Sequence, residues 1–296
     1  MERQDPRGVA LAFTAAALWG VSGAVAASAF DVLSPARVAQ SRAIVAAVVL
    51  VPIAAATKVL HPSGQLRRLA ALGIVLAVVT ATYYWSIDRL GVGPGVTIQF
   101  LGPLLVLVWM AAVQGTSISR VAWVAGGLAV AGVALVTEAW RLQGVDWLGV
   151  AAGGSAAVFF AVYLLLGERL GRDLPPVTVL AWGFTFASVT WLVALPPWTA
   201  SPGAIQDVWR QVLWIGVAGT VVPFLAEMSA LRRISAGVVG IVATSEPVIA
   251  SIAGWVIVSQ RLAVGQIAGV LAVAGAVGLV QRFGVAEAEA PYEAAR

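Results

Sequence analysis

Apolar residues are not collected in one core segment of this chain. They recur from near the N-terminus to residue 282 as runs of about 20, each long enough as a helix to cross a hydrocarbon layer about 30 Å thick. Ten helical spans are predicted, over 8–28, 35–57, 66–87, 92–113, 119–138, 147–167, 176–198, 209–231, 235–257 and 264–282. The gaps between them hold no extramembrane domain. The fold expected is an all-α integral membrane protein of ten transmembrane helices. The first run carries Trp19, Gly20, Ser22 and Gly23 and is expected to pack as a span rather than serve as a cleaved signal. The tail 283–296, rich in Ala and Glu, is expected to be disordered and cytoplasmic.

Composition agrees with this pattern. The 296 residues are 60% hydrophobic and 11% charged, with a mean hydropathy of +0.93, whereas soluble chains carry roughly 25% charged residues. Charge also suggests an orientation. With a cytoplasmic N-terminus, Arg3, Arg7, Lys58, Arg67, Arg68, Arg120, Arg169, Arg172, Arg232, Arg233, Arg282 and Arg296 fall inside. Only Arg37, Arg89, Arg141, Arg210 and Arg261 fall outside. This bias places both termini in the cytoplasm. The basic residues are scattered between spans, so no nucleic-acid patch is expected.

Several chemistries drop out. There is no Cys, and the single His61 precedes Pro62 in a loop, which removes thiolate, HExxH-type zinc and Ser–His catalysis. The only Lys, Lys58, follows Thr57, so no GxxxxGK[ST] phosphate loop exists. No cofactor, metal or catalytic residue is expected, and the chain is not read as an enzyme.

An internal repeat is the most informative feature. GGLAVAG at 126–132 returns as GVLAVAG at 269–275, and an offset of 144 pairs Pro103 with Pro247, Arg89 with Arg233, Gly93 with Gly237, and Tyr83 with Glu227. The halves expected are 1–138 and 139–282, each of five spans. An odd number turns the second copy upside down. Inverted repeats with interrupted helices at matching positions are a transporter signature, with binding near mid-membrane between the halves.

The WG of span 1, the Pro-bearing spans 4 and 9, and the Gly-rich spans 5 and 10 resemble the drug/metabolite transporter superfamily, in its ten-helix branch of two inverted five-helix repeats. GVTIQFLGPLLVLVW and PFLAEMSALRRISAGVVGIVATSEPVIASIAGW resemble segments of bacterial amino-acid exporters, both the aromatic and the threonine/homoserine types. Those families usually close spans 4 and 9 with an acidic residue, a basic residue and Leu. Thr116-Ser117-Ile118 and Gln260-Arg261-Leu262 stand there instead.

Charge within a span costs roughly 2.5–3.5 kcal/mol at the helix centre on insertion scales, and Arg42, Glu227 and Glu246 are the three clear cases. Glu227 shares a face with Thr220 and Phe224. It reads as a binder of an amino group or a proton, or as a helix–helix hydrogen bond or snorkelling head group. Glu246 precedes Pro247 and reads as a substrate group or a stabiliser of the bend. Arg42 reads as structural, snorkelling outward or paired with an acid. Pro103 and Pro247 are expected hinges of spans 4 and 9. Ser155, Phe159 and Tyr163 share one face; Thr178, Trp182 and Thr185 another; Thr80 joins Tyr83 and Tyr84; and Trp19 joins Ser22. Such polar stripes face the bundle interior. The substrate pathway expected is Trp19, Tyr83, Tyr84, Gln99, Tyr163, Trp182, Glu227, Thr244 and Glu246. Trp123, Trp140, Trp147, Trp198 and Trp209 read as interfacial anchors, while Gly149/Gly153 and Gly265/Gly269 read as close helix contacts.

The function these residues and the resemblance imply is a secondary exporter of amino acids, aromatic and other neutral ones, from a bacterial cytoplasm. It would work by alternating access in the inner membrane, with a coupling proton as a candidate partner. Export of threonine, homoserine or other small metabolites and drugs is the alternative. A channel and a membrane-embedded enzyme are the remaining classes; the chain carries no mid-span Asp and no DDxxD or GxGD pair for the latter.

Overall fold

The computed structural model describes residues 5–29, 32–90, 92–140, 146–199, 202–249 and 263–286. Among them the regular structure is helical, with one isolated antiparallel bridge between Ile118 and Ala286. Seven helical stretches are long and apolar enough to cross a membrane, and Arg120–Val136 and Ala236–Ile249 are shorter apolar helices. Each predicted span coincides with helical chain, span 9 being described as far as Ile249 and its remainder, 250–257, lying outside the described residues.

The helices are α1 (Pro6–Ala29), α2 (Pro35–Ala56), α3 (Leu66–Leu90), α4 (Val92–Gln99), α5 (Gly102–Ala112), α6 (Arg120–Val136), α7 (Trp147–Asp173) and α8 (Pro176–Ala194). They continue as α9 (Pro202–Asp207), α10 (Trp209–Gly216), α11 (Val222–Leu231), α12 (Ala236–Ala243) and α13 (Val264–Phe283). A π-helical turn, Val217–Val221, joins α10 to α11. Local chemistry sets the boundaries. Ser34 caps α2 ahead of Pro35, and Ser119 accepts the N–H of Ala122 at 3.1 Å to begin α6. Asp146 accepts the N–H groups of Leu148 and Gly149 to begin α7. These are the orphan donors that every helix start leaves. The carboxyl of Asp146 is held below its ordinary range, first by the Gly149 N–H and then by Arg89, which pairs with it at 2.8 Å.

The outer surface is apolar: Val48, Leu271, Val193 and Val264 are all exposed, the last two at 78% and 85%. In water such a surface would aggregate; against lipid tails it costs nothing. The protein is a multi-pass membrane protein. Its hydroxyls follow the same logic. Thr80, Ser155 and Thr185 each donate to the carbonyl one turn back, at 2.7–2.9 Å. The hydroxyl protons of these three stripe residues are therefore spent inside their own helices.

Helices in equivalent positions of the two repeats meet antiparallel, as inverted copies require. In α6 and α13 the backbones nearly touch: a Cβ on Gly269 would lie 2.7 Å from the Gly132 carbonyl oxygen and 2.8 Å from the Val136 nitrogen. The broken spans also cross. A Cβ on Gly240 of α12 would sit 3.1 Å from Pro103 Cβ, while Gly237 faces Leu107 and Met110 further along α5. The third pair, α2 and α8, is fastened at both ends. Arg37, buried, donates to the carbonyls of Leu195 and Pro196 and to the Thr199 hydroxyl, and Gln40 donates to the carbonyls of Leu195 at 2.6 Å and Trp191 at 3.2 Å. At the opposite end, Thr178 and Trp182 donate to the carbonyls of Val59 and Leu60.

Spans 4 and 9 are interrupted near their prolines, at matching positions, as the repeat leads one to expect. The first breaks at Phe100–Leu101, just before Pro103 enters the opening turn of α5, and the second turns at Thr244 before Pro247. The offset of 144 maps Phe100 onto Thr244, so the breaks occupy matching positions. The first residues of the tail, expected to be disordered from 283, are ordered. Phe283 is helical, Gly284 closes α13 with φ +70°, and buried Val285 accepts the Ser119 N–H at 3.0 Å. Residues 287–296 lie outside the described residues.

Candidate functional site

Where the two repeats meet, residues from α1, α2, α3, α7, α8 and α11 converge with the break after α12. Phe224 is the hub. Trp19, Tyr163 and Phe184 each set an edge-on ring against it, with centroids 5.0, 5.7 and 5.2 Å away. Phe160 stacks on Tyr163 at 6.3 Å and meets Phe100 at 6.2 Å. Arg42 lies over the Phe224 ring, 5.9 Å from its centroid, within cation–π range.

Glu227 sits within this ring cluster. It is 1% exposed, so it does not snorkel. Its Oε2 accepts the Tyr163 hydroxyl at 2.6 Å, a short hydrogen bond. Its Oε1 is buried without a partner among the described residues. The Oε1 of Gln99, at the end of α4, is in the same condition.

Arg42 turns inward rather than outward. Its Nε donates to the Thr220 hydroxyl at 3.0 Å, Nη1 to the Tyr84 hydroxyl at 3.0 Å, and Nη2 to the Gly219 carbonyl at 3.4 Å. Gly219 and Thr220 belong to the π-helical turn, a local widening that is frequent at functional sites. Thr220 in turn donates back to the Ile215 carbonyl at 2.7 Å. No ion pair joins Arg42 to a carboxylate among the described residues.

Glu246 is part exposed although Thr244 and Ser245 beside it are buried. It lies within electrostatic range of Arg42, Tyr83 and Glu227. Tyr83 lies beside Tyr84, ring centroids 5.6 Å apart. The result is a ring-walled region between the repeats, with a guanidinium and two carboxylates facing inward. Its side chains offer complements to opposite charges and to an apolar or aromatic group.

Of the residues singled out from sequence, Trp19, Tyr83, Tyr84, Tyr163, Glu227 and Glu246 are brought together here. Trp182 is not joined to them. Its indole N–H donates to the Leu60 carbonyl at 2.8 Å and its ring stacks on Phe186, so it fastens the α2–α3 connection. The Thr244 hydroxyl is spent on the Ile241 carbonyl at 2.6 Å, at the helix break. Phe224, Phe184 and Thr220 were not counted among the site residues. For Phe224 and Thr220 the available signal was their face shared with Glu227; Phe184 carried none.

Two repeats of membrane helices, matched helix breaks and a charged, ring-lined region between them define a membrane transporter. The chain belongs to the EamA-like transporter family, whose model matches it twice, at residues 6–138 and 147–281. It is similar to the threonine/homoserine exporter RhtA of Salmonella typhimurium (strain SL1344), 29% identical over 208 residues, 69% of this chain and 67% of that one. The RhtA of Escherichia coli (strain K12) is 28% identical over 194 residues, 64% of this chain and 62% of the relative, so less than two thirds of that protein is matched. A crystal structure described only as that of a protein superposes with a TM-score of 0.76 over 92% of this chain and 96% of its own, at 18% identity. That likeness concerns the fold alone.

Proposed function

We propose that this transporter exports amino acids, aromatic and other neutral ones, from the bacterial cytoplasm across the inner membrane by alternating access. Both termini lie in the cytoplasm and the substrate occupies the region between the inverted repeats. The observation that carries the reading is Glu227, a buried carboxylate with one oxygen unpartnered, set among Trp19, Tyr163, Phe184 and Phe224. A substrate ammonium takes the open oxygen, and its side chain lies against the rings, where each edge-to-face contact adds roughly 0.5–1.5 kcal/mol beyond burial. Glu227 also exchanges a proton during the cycle. Pro103 and Pro247 mark where spans 4 and 9 bend.

Export of threonine and homoserine is the second reading, supported by the likeness to the two threonine/homoserine exporters. A counterflow screen of labelled amino acids in protein-only liposomes tests both. Saturable counterflow with phenylalanine or tryptophan supports the first, and counterflow confined to threonine and homoserine the second. No counterflow with any amino acid refutes both, and flux without saturation indicates a channel. Reporter fusions that place residue 296 in the periplasm would refute the orientation.

A further inference from the structure

Arg42 has no part in the reading above, yet the site holds it in an unusual way. Its three hydrogen bonds go to uncharged acceptors: two hydroxyls and one backbone carbonyl. No carboxylate neutralises it by contact among the described residues, although Glu246 lies within electrostatic reach. Both side chains are part exposed. A guanidinium has five N–H groups. Three are engaged, and the Phe224 ring beneath and the hydroxyls beside it fix the plane of the fork. The remaining N–H groups suit a planar anion with two oxygens.

We propose that Arg42 binds the α-carboxylate of the exported molecule, with the ammonium placed on the Glu227–Glu246 side, so that a free carboxylate is a condition of transport. This rests on the amino-acid exporter reading and sharpens it. Arg42 is the specificity-determining residue that separates amino acids from simple amines and amino-acid esters. The pairing also explains an asymmetry. Glu246 has Gly102 as its repeat equivalent, and Glu227 has Tyr83, so the second half supplies both acids. Arg42 comes from the first half. A zwitterion is then held across the boundary between halves, with one charge on each.

The test is competition against labelled phenylalanine (or threonine, if that is the substrate found) in counterflow with the full-length protein. The competitors are the unlabelled amino acid, its methyl ester, and the acid lacking the amino group. In the wild type the ester should compete at least about tenfold more weakly than the amino acid, the scale of a lost charge-assisted bond. Arg42→Gln should close the gap between amino acid and ester while keeping the preference over the deaminated acid. Arg42→Lys, which keeps the charge and loses the fork, should fall between. A wild-type protein that takes the ester as well as the amino acid overturns the assignment without any variant. So does an Arg42→Lys protein with unchanged discrimination. If no amino acid exchanges at all, the exporter reading fails and this assignment with it.

Discussion

Replacing Tyr163 by Phe removes one oxygen and nothing else. The ring keeps its stack on Phe160 and its edge contact with Phe224. Glu227, however, loses the donor to Oε2 while Oε1 already has none, so a carboxylate 1% exposed is left with neither oxygen satisfied. A hydrogen bond to a charged group contributes about 1.5–3 kcal/mol, so Tyr163→Phe, measured at a pH where the Glu227 carboxyl is ionised, should lower stability by that amount. In a Glu227→Gln background the same change removes only a neutral bond, of about 0.5–1.5 kcal/mol. The double-mutant cycle should therefore show a coupling of about 1 kcal/mol or more. The assay is unfolding in mixed micelles followed by tryptophan fluorescence on all four proteins, with counterflow measured in parallel. A cost below about 0.5 kcal/mol in both backgrounds would refute the account of Glu227 as a carboxylate positioned by Tyr163.

Pro103→Ala and Pro247→Ala should each slow counterflow while leaving expression and folding largely intact; wild-type rates in both would make the breaks purely structural. Gly269→Ala forces a methyl into the Gly132 carbonyl and should destabilise by about 1–3 kcal/mol, measured by the same unfolding titration, whereas Gly278→Ala, with open space around it, should not. The Asp146 cap should hold at neutral pH. Because its carboxyl is held below the ordinary range, the contribution is present above that range and lost only as pH falls through the lowered value. Thermal midpoints between pH 7 and 3 should drop less at the acid end for Asp146→Asn than for wild type.

The helices and their repeat were legible because each rests on local pattern: run length, bounding Pro and Ser, and a recurring LAVAG with matched prolines. The interruption of spans 4 and 9 was legible too, since Pro103 and Pro247 lack an N–H and free the carbonyl four residues back, beside the turns at Phe100 and Thr244. The site was legible in part. Glu227 and Glu246 stand out because a carboxylate in an apolar run is expensive. Arg42 stands out equally, but its meaning lies in Thr220 and Tyr84, partners 178 and 42 residues away. The partners of Trp182 were not legible either, because the carbonyl it meets, that of Leu60, belongs to a loop 122 residues away. Phe224, the hub, looks in sequence like any other apolar residue.

The double fastening of α2 to α8 ties together two helices that come from different repeats. Each end of the pair is held through the flanking loop, by Arg37 and Gln40 at Leu195 and Pro196 and by Thr178 and Trp182 at Val59 and Leu60. Arg42 of the one helix and Phe184 of the other both meet Phe224, so the joined helices give that ring a common wall. The wall is a composite of both repeats and bridges the seam along which the sequence repeats.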